Sequence, residues 1–307
     1  MKNHDQRSVR LGILAAISCE AIFGLSYIFT KQATQSTSAL SLLAFRFFVA
    51  FVVMSILVVI KVVKINFKSK SILPLIILGI IDPCCYFIGE TIGIANSTAS
   101  ESGIFLACIP VASLTASTIF LKERPTKTQV SGILVTLVGV LITVFAVSTD
   151  SSFSLKGYLF LLIAVAAYSM YSVTVSKLSD FTSVEITYAM ITCGCIFFLI
   201  LAIAEAINNG NLSSTLALAI SDKNLIKAIL FQGIGCSVFA FFLSNFAIAN
   251  IGVNKTSSFI GISTVVSVLA GVSLLGEKLT ISQLIGGIII VAGVYLANAK
   301  FKDSVKN

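Results

Sequence analysis

Ten stretches of mostly apolar residues, each about as long as a bilayer is thick, follow one another along this chain. Their approximate limits are 11–31, 39–60, 72–95, 102–121, 130–148, 157–176, 186–207, 226–249, 256–275 and 281–299. An α-helix rises about 1.5 Å per residue, so roughly 20 residues cross the roughly 30 Å of membrane hydrocarbon. No water-soluble core has a use for ten such runs. Composition agrees, with 57% of the 307 residues apolar and only 11% charged, against about 25% charged in soluble domains. The chain reads as an all-α membrane protein of ten transmembrane helices. The first run follows Lys2, Arg7 and Arg10 as a signal peptide would, but it is long enough to span and is read as uncleaved.

Basic residues near helix ends are retained in the cytoplasm. With the N-terminus inside, 15 Lys and Arg fall on the cytoplasmic side and only 5 (Lys31, Lys156, Lys223, Lys227 and Lys278) on the other, with Arg46 left within a helix. That asymmetry predicts both termini in the cytoplasm of a multi-pass protein of the cell (plasma) membrane. The net charge of +8 is then a topology signal, and nucleic acid is not an expected partner.

Catalytic chemistry finds little to work with. The single histidine is His4, and the seven cysteines all fall inside apolar runs without a C-x-x-C pair. They read as small buried hydrophobes, with no metal, disulfide or cofactor. A membrane hydrolase or transferase would need a base or metal set that is missing, and no phosphate-binding Walker loop is present. The chain is not expected to be an enzyme.

A shift of 154 residues, without a gap, lays the chain on itself. It aligns Asn96 with Asn250, Phe105 with Phe259, Ser113 with Ser267, Glu123 with Glu277, Gln129 with Gln283, Gly132 with Gly286 and Gly139 with Gly293. Apolar helices match by chance at Leu, Ile and Val, but not in register at Asn, Glu, Gln and Gly. The expectation is a duplication, with residues 1–148 and 149–307 as two five-helix repeats. Five being odd, the second lies upside down relative to the first. The loop KERPTK at 122–127 carries three basic residues and its partner GEKLTI at 276–281 one, as inversion requires. Inverted repeats around a central cavity suit alternating access, since two pseudo-equivalent conformations open one site to either side.

These residues resemble a known family. The first span reading IFGLSYIFTKQA, the second reading AFRFF, the fourth-span exit FLKER and the repeat's LLGEKLTISQLIGGIIIVAGV are similar to the bacterial ten-span drug/metabolite transporters of the EamA type, over nearly the whole chain. The resemblance implies ten helices around a central cavity and members that move amino acids, other metabolites or drugs, often outward. It departs at Phe23, where many relatives carry Trp before the glycine.

Carboxyl groups inside the membrane are the remaining anomaly. A charge at the bilayer centre costs about 2.5–3.5 kcal/mol on insertion scales, so it should face protein or a wet cavity. By helical rise, Glu20 and Asp82 lie roughly 13 and 15 Å from the cytoplasmic ends of their spans, and Glu90 and Arg46 roughly 8 and 10 Å from the outer ends. An Arg46–Glu90 pair is therefore geometrically open, although an arginine at that depth can also brace helices and snorkel outward. Asp82, Tyr86 and Glu90 share one face of the third span, Glu20, Gly24, Tyr27 and Lys31 one face of the first, Tyr168, Tyr171 and Ser172 one of the sixth, and Ser257, Gly261 and Thr264 one of the ninth. Gly89-x-x-x-Gly93 reads as close helix packing, and Thr98 with Glu101 as a capping box. The shift of 154 maps Asp82 to Cys236, Glu90 to Ser244 and Glu101 to Lys255, so these acids belong to the first half alone.

The expected function is a secondary transporter, an exporter, of a small amino-bearing metabolite such as an amino acid, with Glu20, Tyr27, Asp82, Tyr86, Glu90, Tyr168 and Tyr171 as candidate substrate-binding residues. The acids serve as counter-charge for an amine or as proton carriers. Efflux of drugs or other cationic compounds is the alternative, and a non-transporting membrane partner a weaker one. Expected partners are the solute and the lipid bilayer, for a monomer or homodimer.

Overall fold

The computed structural model describes residues 2–68, 70–97, 99–106, 108–147, 154–276 and 281–298, and among the described residues every regular element is helical. In chain order these are α1 (Lys2–Ala33), α2 (Ala39–Val59), α3 (Leu73–Gly79), a π turn (Ile80–Cys85), α4 (Tyr86–Ala95), α5 (Ala99–Leu106), α6 (Ile109–Phe120) and α7 (Lys127–Val147). There follow α8 (Leu155–Ser176), α9 (Ser183–Asn208), α10 (Leu212–Ser221), α11 (Lys223–Leu230), a π segment (Phe231–Ala240) and α12 (Phe241–Ile251). The chain closes with α13 (Val253–Ser257), a 3-10 turn (Ser258–Ile260), α14 (Gly261–Leu275) and α15 (Ile281–Asn298).

Among the described residues, seven segments are long and apolar enough to cross a membrane: Gln6–Ala33, Ala39–Val59, Leu73–Ala95, Leu155–Ser176, Ser183–Asn208, Lys223–Ile251 and Val253–Leu275. The other three apolar runs fall on the shorter α5 and α6, and on α7 and α15, whose side chains are described only in part. None of the ten apolar runs covers α10, a helix of nearly three turns in the connection between α9 and α11 with no buried residue of its own.

The molecule is apolar outside and partly polar within. Leu14, Ile56, Ile119, Ile200 and Ile288 are exposed, whereas Glu20, Arg46, Asp82, Glu90, Gln232 and Asn245 are buried. A contiguous apolar exterior is the surface lipid covers. The principal packing partners are α7 with α15, α4 with α8, α2 with α9, α1 with both α12 and α14, and α6 with α8.

Glycines set the α7–α15 seam. A Cβ on Gly132 would meet the backbone nitrogen of Ala297 at 2.2 Å, one on Gly139 the carbonyl of Gly286 at 2.7 Å, and one on Gly293 the carbonyl of Gly132 at 2.7 Å. Without a hydrophobic drive between helices in lipid, such close backbone approach is what dispersion needs. The same holds where Gly89 and Gly93 of α4 meet α8 at Phe160 and Leu161, and where Gly24 of α1 meets Ser263 of α14.

At the face where α1 begins, the α2–α3 connection is strapped to the start of α9. Lys70 Nζ donates to Glu185 Oε2 at 2.8 Å and lies 5.0 Å from the Phe181 ring, and the Asn66 amide donates to Glu185 Oε1 at 2.9 Å. Glu185 also closes a capping box with Thr182, a T-x-x-E signature present in the sequence but not read there; Thr98 and the Glu101 side chain lie outside the described residues. Lys70 is 25% exposed and Glu185 only 4%, so the two should be unequal. Lys70→Ala is expected to cost under about 1 kcal/mol and less in high salt, whereas Glu185→Ala, which also takes the acceptor from the Asn66 and Thr182 amides, is expected to cost about 2 kcal/mol at any salt concentration. Thermal melts in detergent at low and high NaCl test this.

Candidate functional site

The third span breaks where Asp82 sits. Its backbone is extended (φ −140°, ψ 119°) in the middle of the π turn, and Pro83 brings no amide hydrogen to return to the preceding turn. Beyond the break α4 runs regularly, so Tyr86 and Glu90 lie one turn apart and the Tyr86 hydroxyl donates to Glu90 Oε1 at 2.8 Å. Both are buried, as is Asp82.

Five other elements bring partners. From α1 come Glu20 and Tyr27, 4% and 3% exposed, both beside the Ser263 hydroxyl of α14. From α8 come Tyr168 and Tyr171, with rings 5.3 Å apart, and the Tyr168 ring is 5.8 Å from that of Tyr86. The Tyr171 hydroxyl donates to Asn245 Oδ1 of α12 at 2.7 Å, and Asn245 Nδ2 donates in turn to Thr187 Oγ1 of α9 at 2.9 Å. All seven candidate residues are thus buried and gathered from α1, the broken third span and α8. Four of them, Asp82, Tyr86, Tyr168 and Tyr171, line a cavity of about 10 Å³ together with Phe23, Phe87, Phe241 and Ser244, whereas Glu20, Tyr27 and Glu90 are not in its wall. That is room for about one water molecule, so the site is described in a closed form.

Arg46 braces the bundle. It is 1% exposed and does not snorkel. Its Nε donates to Ser237 Oγ at 2.8 Å, and its guanidinium lies 4.0 Å from the Phe87 ring centroid, a cation–π contact. Arg46 lies within electrostatic reach of Glu90 and Asp82 but forms no ion pair with either within 4.0 Å.

On the ninth span Gly261 packs against Ile290 and Val294 of α15 and the Thr264 hydroxyl donates to the Gly103 carbonyl of α5 at 2.9 Å, as small residues do at helix contacts; it is Ser263 that lies beside Glu20. The 3-10 turn Ser258–Ile260 has about 3.0 residues per turn, which rotates everything after it relative to an unbroken α pattern. Lys31, on the face of Glu20 by periodicity, donates to the Ile94, Ala95 and Ser97 carbonyls at the end of α4, where a cation complements the helix dipole.

At the two faces of the bundle there is more room. A polar pocket of about 250 Å³ lies where α1 ends, with Ser38, Ser41, Glu205 and Thr215 in its wall, and one of about 300 Å³ lies at the opposite face around Glu123 and Asn254. There Asn254 Nδ2 donates to Glu123 Oε2 at 2.8 Å, and burial pushes the Glu123 carboxyl up.

A buried centre holding three carboxyl groups thus lies between two more open polar faces. The pattern of the EamA-like transporter family matches twice, at residues 10–145 and 155–299. The chain belongs to that family. The transporter is 31% identical, over 95% of its own length and 94% of the relative's, to the uncharacterized transporter YcxC of Bacillus subtilis (strain 168). It is 25% identical, over 76% of its length and 80% of the relative's, to an uncharacterized transporter of Archaeoglobus fulgidus. One solved structure, described as "Crystal structure of protein", shares its fold with a TM-score of 0.68 over 95% of this chain and 96% of that one, at 17% identity.

Proposed function

We propose that this transporter exports a small amine-bearing metabolite, an amino acid or close relative, by alternating access across the plasma membrane, with both termini in the cytoplasm. The observation that carries the reading is charge. Glu20, Asp82 and Glu90 are buried in the middle of the bundle against one buried guanidinium, Arg46. Uncompensated buried charge is costly, and a solute ammonium group is the counter-charge such a centre selects. Inverted repeats at residues 1–148 and 149–307 supply the mechanism. Support for them comes from the packing: α1 on α12 is answered by α8 on α4, and α1 on α14 by α8 on α6, while α2–α9 and α7–α15 each map onto themselves. The helical irregularities correspond too, since the π turn at Ile80–Cys85 falls, after a shift of 154, within the π segment Phe231–Ala240.

Untargeted metabolite profiling of medium and cytosol from cells overproducing the wild type or the Glu20→Gln, Glu90→Gln variant tests the reading. A primary amine enriched in the medium by the wild type at least severalfold, and not by the variant, is the expected result. Shifts shared by both would reduce the acids to scaffold, and the absence of any shift would overturn transport of a metabolite. A second reading, efflux of lipophilic cations, is favoured by the aromatic wall of Phe23, Tyr86, Phe87, Tyr168 and Phe241, since aromatic faces attract cations. It predicts resistance to such compounds on overproduction, with no change in metabolites.

A further inference from the structure

Three carboxyl groups and one guanidinium leave the centre two positive charges short when ionised, and one solute amine supplies only one. The three acids are not equally provided for. Glu90 accepts from the Tyr86 hydroxyl at 2.8 Å, and Glu20 has the Ser263 hydroxyl beside it. Asp82 differs. Its Oδ1 is buried without a hydrogen-bond partner, and so is the Tyr168 hydroxyl, and both residues line the cavity of about 10 Å³. A hydroxyl and a carboxylate left over together around a space the size of one water are a donor set for a small ion and have no room for a metabolite.

The surroundings add oxygen. Ser244, whose hydroxyl is 3.1 Å from that of Tyr171, lines the same cavity. The helix is broken at Asp82, and Pro83 cannot return the α-helical bond to the carbonyl one turn earlier, that of Gly79. Unwound carbonyls of broken membrane helices are recurrent ligands for alkali cations. Rings of Phe23, Tyr86, Phe87 and Phe241 complete the wall with faces that tolerate positive charge.

We propose that Asp82 and Tyr168 form a binding site for a single sodium ion, separate from the amine-binding Glu20 and Glu90. The inference leans on the charge balance of the site already described, but the ion binds without solute, so the two stand or fall separately. Occupied, the site neutralises Asp82 across the break in the third span, and the sodium gradient becomes available to drive the conformational cycle.

The test uses the full-length purified protein, in detergent and without solute, with melting temperature followed in NaCl against choline chloride at equal ionic strength and fixed pH. A ligand that binds only the folded state raises stability with its concentration. At ten times the dissociation constant the wild type is expected to melt about 3 °C higher in sodium. Asp82→Asn is expected to lose the shift entirely and Tyr168→Phe to need severalfold more sodium for it, while Lys70→Ala, at the distant strap, keeps it whole. Should Asp82→Asn fail to fold, Tyr168→Phe and the binding of radioactive sodium to the wild type carry the same comparison. Equal melting in sodium and choline, an undiminished shift in Tyr168→Phe, or stability that follows pH and ignores sodium would each overturn the proposal.

Discussion

Gly132→Leu is expected to yield a protein that no longer melts as one cooperative unit, losing at least about 3 kcal/mol of stability. The reason is geometric. A Cβ on Gly132 would come within 2.2 Å of the Ala297 nitrogen and 2.6 Å of its Cα, and backbone atoms cannot step aside as a side-chain tip can. Opening the seam by even a methyl group forfeits dispersion along its whole length, because attraction falls steeply with separation. Gly287 is the internal control. A Cβ there meets nothing within 4 Å, so Gly287→Ala is expected to leave the melt unchanged or raise it by up to about 1 kcal/mol through the better helix propensity of alanine. Fluorescence-detected size exclusion after heating separates the two. A Gly132→Leu protein that stays monodisperse to the wild-type temperature would mean that α7 and α15 do not pack this closely.

Arg46→Met is the second large loss, about 3–5 kcal/mol, the usual cost of withdrawing the compensating charge from a buried group. The methionine replaces much of the apolar stem, so what disappears is the bond to Ser237, the contact with Phe87 and the positive charge that acts on Glu90 and Asp82. A double-mutant cycle distinguishes charge from packing. If Arg46 acts through charge, Arg46→Met with Glu90→Gln is more stable than Arg46→Met alone, because the carboxylate that had lost its compensation is gone as well. Simple addition of the two losses would assign Arg46 to packing against Phe87 instead.

Much of this protein was legible before any coordinates. The apolar runs gave the helical membrane class, because hydrocarbon leaves a backbone few ways to satisfy its amides and carbonyls other than a helix. The shift of 154 had already paired Gly132 with Gly286 and Gly139 with Gly293. In the structure the same glycines lie across from one another in a single seam, Gly132 against Gly293 and Gly139 against Gly286. Periodicity alone put Tyr86 and Glu90 on one face, and their hydroxyl–carboxylate bond follows from that spacing.

Rise per residue and the cost of buried charge are properties of a single helix, so the expected position of each polar group along its span could be read from the residues alone. Which partner each group meets was decided only by the tertiary structure. Arg46 bonds to Ser237, 191 residues away, and Tyr171 to Asn245, 74 residues away. Those meetings depend on the rotation of each helix about its own axis. The break at Asp82, the π segment at Phe231–Ala240 and the 3-10 turn at Ser258–Ile260 reset that rotation, where a constant 3.6-residue period carries no record of it.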